Sequence, residues 1–368
     1  MAGRDHQQGF ATAEAICNHF SEQADWCERL GSPFTASLIR QFRRDFEAGG
    51  VVRSLVADRT GFPRADALAL RLAGVLHYAA LSGRSEDLAG LYPSQTRSAN
   101  VETLWPVASD FLEREESWAR AFLQHPPQTN ETRRAIMMLI GLSHVEHIFS
   151  MPIRLLELGA SAGLNQNFDA FHVDAGCWQW GDVDAAVQIE SKWKGPAPKL
   201  SRKFNIIERR GCDQHPLDLT DEETRLRLKS YIWADQPERL ARFDAATQLA
   251  LQRQTQIEKA DAADWLKARL EHPPEGVATV IFHSVFFQYP PHETRTQLKN
   301  MIEDAGGRAT QSAPVIWLRY EPEVLWDRSA DAKIALNMVC DARIWPSDQH
   351  IRFARSDGHV RVVESLMA

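Results

Sequence analysis

A glycine-spaced turn follows an apolar run near the middle of the chain. The run Arg154–Leu158 precedes the small-residue segment Gly159-Ala160-Ser161-Ala162-Gly163. A short apolar run predicts a buried strand, and open α/β sheets bind ligands just beyond the carboxyl ends of their strands. Small residues at that point would let the backbone approach a ligand, and a following helix would offer free N–H groups. A tight turn with no ligand would have the same sequence features.

Two kinds of chemistry fit this turn. Glu157, Gly159 and Gly163 resemble the first motif of class I S-adenosylmethionine-dependent methyltransferases, in which an acidic residue precedes a glycine loop that cradles the cofactor. The usual middle glycine of that motif is Ser161 here. The same letters spell Gly-x-Ser-x-Gly, the nucleophile elbow of α/β-hydrolases, with Ser161 as the nucleophile. The turn follows the first predicted strand and no His-Gly-Gly string occurs, which favours the methyltransferase interpretation.

Acidic residues follow two later segments and would lie at the same edge of a parallel sheet. Glu208 comes directly after a strand predicted at Phe204–Ile207, where an acid could accept hydrogen bonds from ribose hydroxyls. A surface salt bridge with a neighbouring arginine explains Glu208 equally well. Asp261 and Ala262 resemble the third methyltransferase segment, where an acid and the next backbone N–H contact adenine. Asp261 would also cap a helix well, and both roles can hold together.

Further polar residues are candidates for contact with a substrate. His283, at the end of another predicted strand, could act as a general base, although a hydrogen-bonded core histidine is an equal alternative. Tyr289 and Glu131 are the other candidates for taking a proton. The candidates for binding the substrate are Asn130, Arg134, Asn165, Asp169 and Asp213. Helix capping competes as an explanation for the segment that contains Asn130, and we expect no metal site.

These residues need a framework of strands and helices to position them. Residues 1–150 have helical patterns throughout, with predicted helices at Ala65–Leu81, Val101–Leu123 and Thr132–Phe149. After residue 150, short apolar runs alternate with helical stretches, which predicts βαβ units and a parallel sheet. Besides the two strands named above, strands are predicted at Val277–His283 and Val315–Tyr320. The helices predicted between the strands are Glu222–Ile232, Arg239–Gln254, Asp261–Leu270 and Glu293–Asp304.

Two segments depart from that alternation. Residues 172–203 have no clear periodicity and contain three of the 11 tryptophans, so we expect an insertion there. Near the end, short apolar runs surround the turn signal Ser356-Asp357-Gly358, which predicts a C-terminal antiparallel hairpin.

Composition limits the classes of protein. The 368 residues carry a net charge of −7, which argues against non-specific electrostatic binding to the phosphate backbone of nucleic acid. Five cysteines without C-x-x-C spacing argue against a disulfide framework, and no apolar run reaches the roughly 20 residues needed to cross a bilayer. We therefore expect a cytoplasmic protein with a small-molecule substrate and no nucleic acid or membrane partner. A homo-oligomer is left open.

Eight stretches resemble, in order, an uncharacterised bacterial family, the domain-of-unknown-function family two-three-three-two. The most specific are GASAGLN, which begins at Gly159, and QTNE, which begins at Gln128. The resemblance runs from about residue 15 to residue 363. It implies a methyltransferase-like fold and implies that the helical first part belongs to the same unit.

The expected architecture is a Rossmann-like, methyltransferase-type doubly wound α/β sheet. A helical region over 1–150 would precede an α/β domain over 151–368, with the insertion at about 172–203 and the hairpin at the end. The expected function is transfer of a methyl group from S-adenosylmethionine to an unknown small molecule. The alternatives are a serine hydrolase that uses Ser161, and a non-catalytic protein that binds a nucleotide-like ligand or another protein.

Overall fold

The computed structural model describes residues 11–94, 99–330, 334 and 336–367. Its α-helices are α1 (Ala13–Arg29), α2 (Pro33–Ala48), α3 (Val51–Val56), α4 (Leu68–Leu81), α5 (Glu86–Ala89), α6 (Val101–Arg114), α7 (Glu116–Leu123), α8 (Ala135–Phe149), α9 (Glu222–Ser230), α10 (Pro237–Gln252), α11 (Ala262–Leu270) and α12 (His292–Gly307). Its strands are β1 (Ile153–Leu158), β2 (Phe171–Asp174), β3 (Gln179–Trp180), β4 (Val187–Glu190), β5 (Lys192–Lys194), β6 (Ile206–Asp213), β7 (Glu258–Lys259), β8 (Ala278–Ser284), β9 (Val315–Pro322), β10 (Met338–Trp345), β11 (Gln349–Ser356) and β12 (Val362–Ser365). Short 3₁₀ helices cover Thr132–Arg134, Leu164–Ala170 and Glu323–Leu325.

One compact unit is helical. It comprises the described part of residues 1–129 together with Asp221–Ala241. Asp235 joins the two segments, because its carboxylate accepts a hydrogen bond from the backbone N–H of Phe34 at 2.9 Å and another from the hydroxyl of Ser32. Gly74 on α4 lets the ring of Tyr231 pack closely, since a Cβ atom at this position would lie 2.7 Å from that ring.

The second unit, Asn130–Thr220 with Arg242–Ala368, contains both sheets. The large sheet has the strand order β5-β12-β11-β10-β9-β8-β1-β6-β7. Strands β7, β6, β1, β8 and β9 are parallel to one another, whereas the pairs β9–β10, β10–β11 and β11–β12 are antiparallel. Read across the sheet from β7 to β9, the five parallel strands are the third, second, first, fourth and fifth of this set in the chain. The connections therefore reverse direction between β1 and β8.

Helices cover both faces of this sheet. Leu156 and Leu158 of β1 pack in one core with Trp265 of α11 and Trp317 of β9. On the opposite face, Gly141 of α8 lies against Leu318 of β9, where a Cβ atom would come 2.3 Å from the leucine side chain. Successive strand residues face opposite sides, so both faces of β9 are buried, as is typical of a parallel sheet between helices.

The expected α/β class with a largely parallel sheet is confirmed. The C-terminal part also forms antiparallel strands, since β10 pairs with β11 and β11 with β12. Helix α8 packs with the sheet unit, whereas Asp221–Ala241 packs with the helical unit. No helix within the described residues is long and apolar enough to cross a membrane.

Other expectations need correction. The predicted strand Phe204–Ile207 is displaced, because β6 begins at Ile206 and continues through two arginines to Asp213. The apolar pattern failed because β7 pairs only with Cys212 and Asp213, which leaves most of β6 at the sheet edge, where charged side chains reach solvent.

The predicted helix Val101–Leu123 and the predicted insertion also differ in detail. The helix is divided at Glu115 into α6 and α7. Within residues 172–203 the chain completes a small sheet of order β3-β2-β4, and β5 then joins the edge of the large sheet beside β12. Strands of two to four residues are too short to produce a periodic pattern.

Candidate functional site

The β1 turn, Gly159–Gly163, lies at the carboxyl end of the strand between β6 and β8. Gly159 and Gly163 have φ values of +67° and +71°, and Ser161 between them has a φ of +56°. Two side chains hold the turn. Asp213 Oδ2 accepts a hydrogen bond from the Ser161 N–H at 2.9 Å, and Asn130 Oδ1 accepts one from the Leu164 N–H at 2.8 Å.

Neighbouring side chains cover both glycines of the turn. A Cβ atom on Gly159 would lie 2.3 Å from the ring of Phe286. A Cβ atom on Gly163 would lie 2.7 Å from Ile257 and 2.8 Å from Thr255. The positive φ values and these close contacts explain why glycine is needed at both positions. The sequence suggested that the small residues of the turn let a ligand approach the backbone. In the structure, protein side chains occupy that position next to both glycines.

Asp213 ends β6 and lies beside the turn. Besides Ser161, its carboxylate accepts a hydrogen bond from the backbone N–H of His215 at 2.9 Å. Its backbone carbonyl accepts from Ala260, the residue before Asp261, at 3.1 Å. Asp261 is exposed and caps α11 by accepting from Ala263 N at 2.8 Å, with Ala262 as the first helical residue. The ends of β1, β6 and β7 therefore bring the turn and two carboxylates to one edge.

Glu208 does not belong to this group. It lies in the first half of β6, opposite Arg154 of β1, and its carboxylate pairs with the Arg154 Nε at 3.0 Å. Asp213, five residues further along, occupies the strand end where the sequence argument put Glu208. No alternating pattern marks this end in the sequence, because Glu208, Arg210 and Cys212 fall on the same face of β6, although the first two are charged and the third is buried.

Glu157 is buried in β1 just before the turn, with 2% of its surface exposed. Burial raises the pKa of its carboxyl to about 8, and the amide of Gln166 offsets this rise only in part. Its Oε2 atom has no hydrogen-bond partner within the described part of the chain. A carboxyl group with this pKa is mostly protonated at neutral pH.

His283 ends β8 and is fully buried. Its Nε2 atom accepts a hydrogen bond from the Trp317 indole at 2.9 Å, so Nδ1 carries the proton and donates to Glu321 at 2.6 Å. The same carboxylate oxygen accepts from the backbone N–H groups of Phe286 and Phe287 at 2.9 and 3.1 Å. His283 and Glu321 thus hold the β8 loop, Val285–Gln288, that covers Gly159, and both imidazole nitrogens are occupied.

The β8 loop begins with a strained residue. Val285 has a φ of +54°, an unusual conformation for a β-branched residue that costs about 1–3 kcal/mol. Its N–H donates to the Tyr320 carbonyl of β9 at 2.9 Å, which helps to hold that conformation. Two non-glycine residues with positive φ therefore follow neighbouring strands: Ser161 comes after β1 and Val285 after β8.

The remaining candidates fall into two groups. Glu131 is buried, pairs with Arg242 at 3.3 Å and begins the 3₁₀ helix Thr132–Arg134. Asn165 is also buried, and its Nδ2 donates to the Glu131 carbonyl at 3.3 Å, so these residues and Asn130 lie together behind the turn. Elsewhere, Tyr289 is 72% exposed. Arg134 is half-buried, and Asp169 binds two arginines described below.

A family model described as "Uncharacterized protein conserved in bacteria (DUF2332)" matches residues 17–365. The chain belongs to this family. No curated protein and no solved structure matches the chain. Across the described residues, no group of three or more His, Cys, Asp and Glu side chains is placed to hold a metal ion.

Proposed function

We propose that the sheet unit binds S-adenosylmethionine at the β1 turn and transfers its methyl group to a small molecule. The observation that carries the proposal is the hydrogen bond between Ser161 N and Asp213 Oδ2, which joins the β1 turn to the acid at the end of β6. With Asp261 after β7, three adjacent strand ends carry a glycine turn and two carboxylates. The reversal of the connections at β1 and β8 is where doubly wound sheets bind nucleotide-like ligands.

The polar groups at this edge fit such a ligand. Carboxylates accept hydrogen bonds from ribose hydroxyls, and Asp213 keeps acceptor capacity beyond its two backbone N–H partners. Asp261 and the backbone of Ala262 would contact the adenine. The Oε2 of buried Glu157, which has no partner among the described residues, supplies a further polar group just before the turn.

At least one side chain must move for this ligand to reach the turn. The ring of Phe286 fills the space beside Gly159. The β8 loop carries that ring, and Glu321 anchors the loop. Binding would therefore be coupled to a displacement of Phe286, and His283 would act by positioning the loop.

The sulfonium of the bound cofactor supplies an activated methyl group. The contribution of the chain would be alignment, since placing two reactants correctly can supply about 7–11 kcal/mol of the barrier reduction. Tyr289 and Glu131 stay candidates for taking the proton of the methyl acceptor, Tyr289 because its phenol is exposed and Glu131 because it lies behind the turn.

Calorimetric titration with S-adenosylmethionine and S-adenosylhomocysteine tests the proposal. We expect binding to the wild type and about tenfold weaker binding to Asp213→Asn, a loss typical of one charged hydrogen bond. Glu208→Gln is a matched control, because it removes an acid from the same strand away from the turn. Absence of binding at millimolar ligand, or an equal effect of both substitutions, would contradict the assignment.

A serine hydrolase is the second candidate, and one feature favours it. Ser161 has a positive φ in Gly-x-Ser-x-Gly, and Asp213 and His215 follow in the chain order of α/β-hydrolases. Against it, the carboxylate of Asp213 accepts hydrogen bonds from the backbone N–H groups of Ser161 and His215, and a 3₁₀ helix follows the turn where an elbow leads into an α-helix. Labelling by a fluorophosphonate that Ser161→Ala abolishes would favour the hydrolase.

A non-catalytic protein is the third candidate. Two departures from the usual methyltransferase pattern are compatible with this candidate: the long segment 172–203, and Ser161 in place of the middle glycine. Binding of S-adenosylmethionine without turnover against a broad panel of acceptors would favour this candidate over the enzyme.

A further inference from the structure

A polar cleft of about 490 Å³ lies in the sheet unit, and its lining contains no residue of the β1 turn. Its walls come from the 3₁₀ helix Leu164–Ala170, from β6 and from the segment after α10. All nine lining residues are polar or charged, and they include three arginines but only one carboxylate. The volume lies in the range of small-molecule sites, whereas the lining is too polar for an apolar ligand.

Asp169 organises two of the arginines. Arg209 binds it through both terminal nitrogens, at 3.0 and 2.6 Å, and Arg253 binds it at 2.7 Å. Burial tends to raise the pKa of Asp169, but hydrogen bonds and charge from the two guanidinium groups outweigh this and lower it. Asp169 is therefore ionised at neutral pH and balances one of the two positive charges.

The guanidinium groups keep donors for a ligand. Each has five N–H donors in a planar fork. Arg209 also donates to the Gln166 carbonyl, whereas Arg253 donates from Nη1 to Asp169 and its guanidinium makes no other hydrogen bond to the described residues. Arg253 is partly exposed, with 36% of its side chain accessible, so the rest of its fork can reach a ligand. A second wall is fixed by the hydrogen bond from Asn167 Nδ2 to Thr255 Oγ1 at 3.0 Å.

We propose that this cleft binds a small molecule through an oxyanion, a phosphate or a carboxylate group. Arg253 and Arg209 would hold the oxyanion, since the guanidinium fork matches two oxygens of such a group. Arg210 also lines the cleft and adds positive charge. A positive cleft stands out in a chain with a net charge of −7. This inference does not depend on the proposed function.

The test is calorimetric titration of the full chain with inorganic phosphate, pyrophosphate and citrate at constant ionic strength. We expect at least one probe to bind, and the preference between citrate and the two phosphates identifies the type of oxyanion. Arg253→Gln should weaken the binding by about tenfold, a loss typical of one charge-assisted hydrogen bond. Arg202→Gln is the control, because Arg202 is exposed in the same unit but does not line the cleft.

Three results would overturn the inference: no binding of any probe, equal weakening by both substitutions, or no weakening by Arg253→Gln. If Arg253→Gln lowers the unfolding midpoint, Arg210→Gln serves as the second variant, since Arg210 is 54% exposed and its ion pairs with the described residues are long, at 3.7 and 3.9 Å. Titration of Arg253→Gln with S-adenosylmethionine separates the two sites. If Arg253→Gln binds S-adenosylmethionine with the affinity of the wild type but no longer binds the anion, the anion site is the cleft and not the β1 turn.

Discussion

The backbone N–H of Ser161 donates to Asp213 Oδ2 at 2.9 Å and so connects the turn after β1 with the end of β6. The other carboxylate oxygen accepts from His215 N at 2.9 Å, so one side chain fixes the chain at two neighbouring strand ends. A residue with a positive φ needs such support, because the conformation itself is unfavourable. Asp213 thus has a structural role that stands whatever the ligand is.

The structural role of Asp213 predicts a graded effect of substitution. Asp213→Ala removes both acceptors and should lower the free energy of unfolding by about 1–3 kcal/mol. Asp213→Asn keeps one carbonyl acceptor and should cost less. Urea unfolding followed by tryptophan fluorescence measures both. Equal stability of the alanine variant and the wild type would show that the two hydrogen bonds do not support the turn.

The packing of Phe286 on Gly159 predicts a second effect. Gly159→Ala adds a Cβ atom 2.3 Å from the ring at a residue with a φ of +67°, so it should destabilise by the conformational cost of about 1–2 kcal/mol and by a clash. Gly176→Ala is the matched control, because Gly176 has a φ of +81° but no atom within 4 Å of an added Cβ.

A double substitution isolates the clash. Phe286→Ala should cost less stability in the Gly159→Ala background than in the wild type, whereas in the Gly176→Ala background it should cost as much as in the wild type. Additive effects in the first pair would contradict the close packing of the ring on the turn.

Much of the framework could be predicted because its signals are local. The strand Ile153–Leu158 has four aliphatic residues among its six, and helix Leu68–Leu81 repeats leucine and valine at helical spacing. The position of Asp213 at a strand end was harder to predict. Strand β6 carries charged residues because most of it lies at the sheet edge, so its sequence lacks the apolar pattern of a buried strand. The sequence pattern therefore predicts a strand end at Glu208, whereas the strand continues five residues further to Asp213.

The contacts within the site depend on residues far apart in the chain. His283 and Glu321 are 38 positions apart and meet only because β8 and β9 are neighbours in the sheet. Asp169 meets Arg253 across 84 positions. A single sequence has no local pattern for such pairs. The sequence could thus suggest which residue types matter near the turn and that His283 could be a core histidine, but not that Glu321 and Trp317 would be its partners.

Glu321 offers a prediction about the β8 loop. Glu321→Ala leaves three donors without their acceptor, the Nδ1 of His283 and the N–H groups of Phe286 and Phe287, and should cost about 3–5 kcal/mol. Glu321→Gln can keep a carbonyl oxygen at the Oε1 position and place its amide at Oε2, which has no partner among the described residues, so it should cost clearly less.

Thermal unfolding and tryptophan fluorescence check this pair of variants, since the Trp317 indole donates to His283 and reports on the network. A similar loss in the glutamine and alanine variants would show that the negative charge, and not the acceptor at Oε1, holds the loop.

The raised pKa of Glu157 predicts how stability depends on pH. Burial raises this pKa to about 8 in the folded chain, above the ordinary value of an unfolded glutamate. Between those two values the folded state keeps a proton that the unfolded state has released, so the free energy of unfolding falls as pH rises toward about 8 and levels off above it.

Glu157→Gln removes this group from titration and should make the stability less dependent on pH in that window. Urea unfolding at several pH values between the two pKa values measures the slope, and Glu364→Gln, at an exposed position on β12, should keep the wild-type slope. A Glu157→Gln variant with the wild-type slope would show that Glu157 titrates normally in the folded protein.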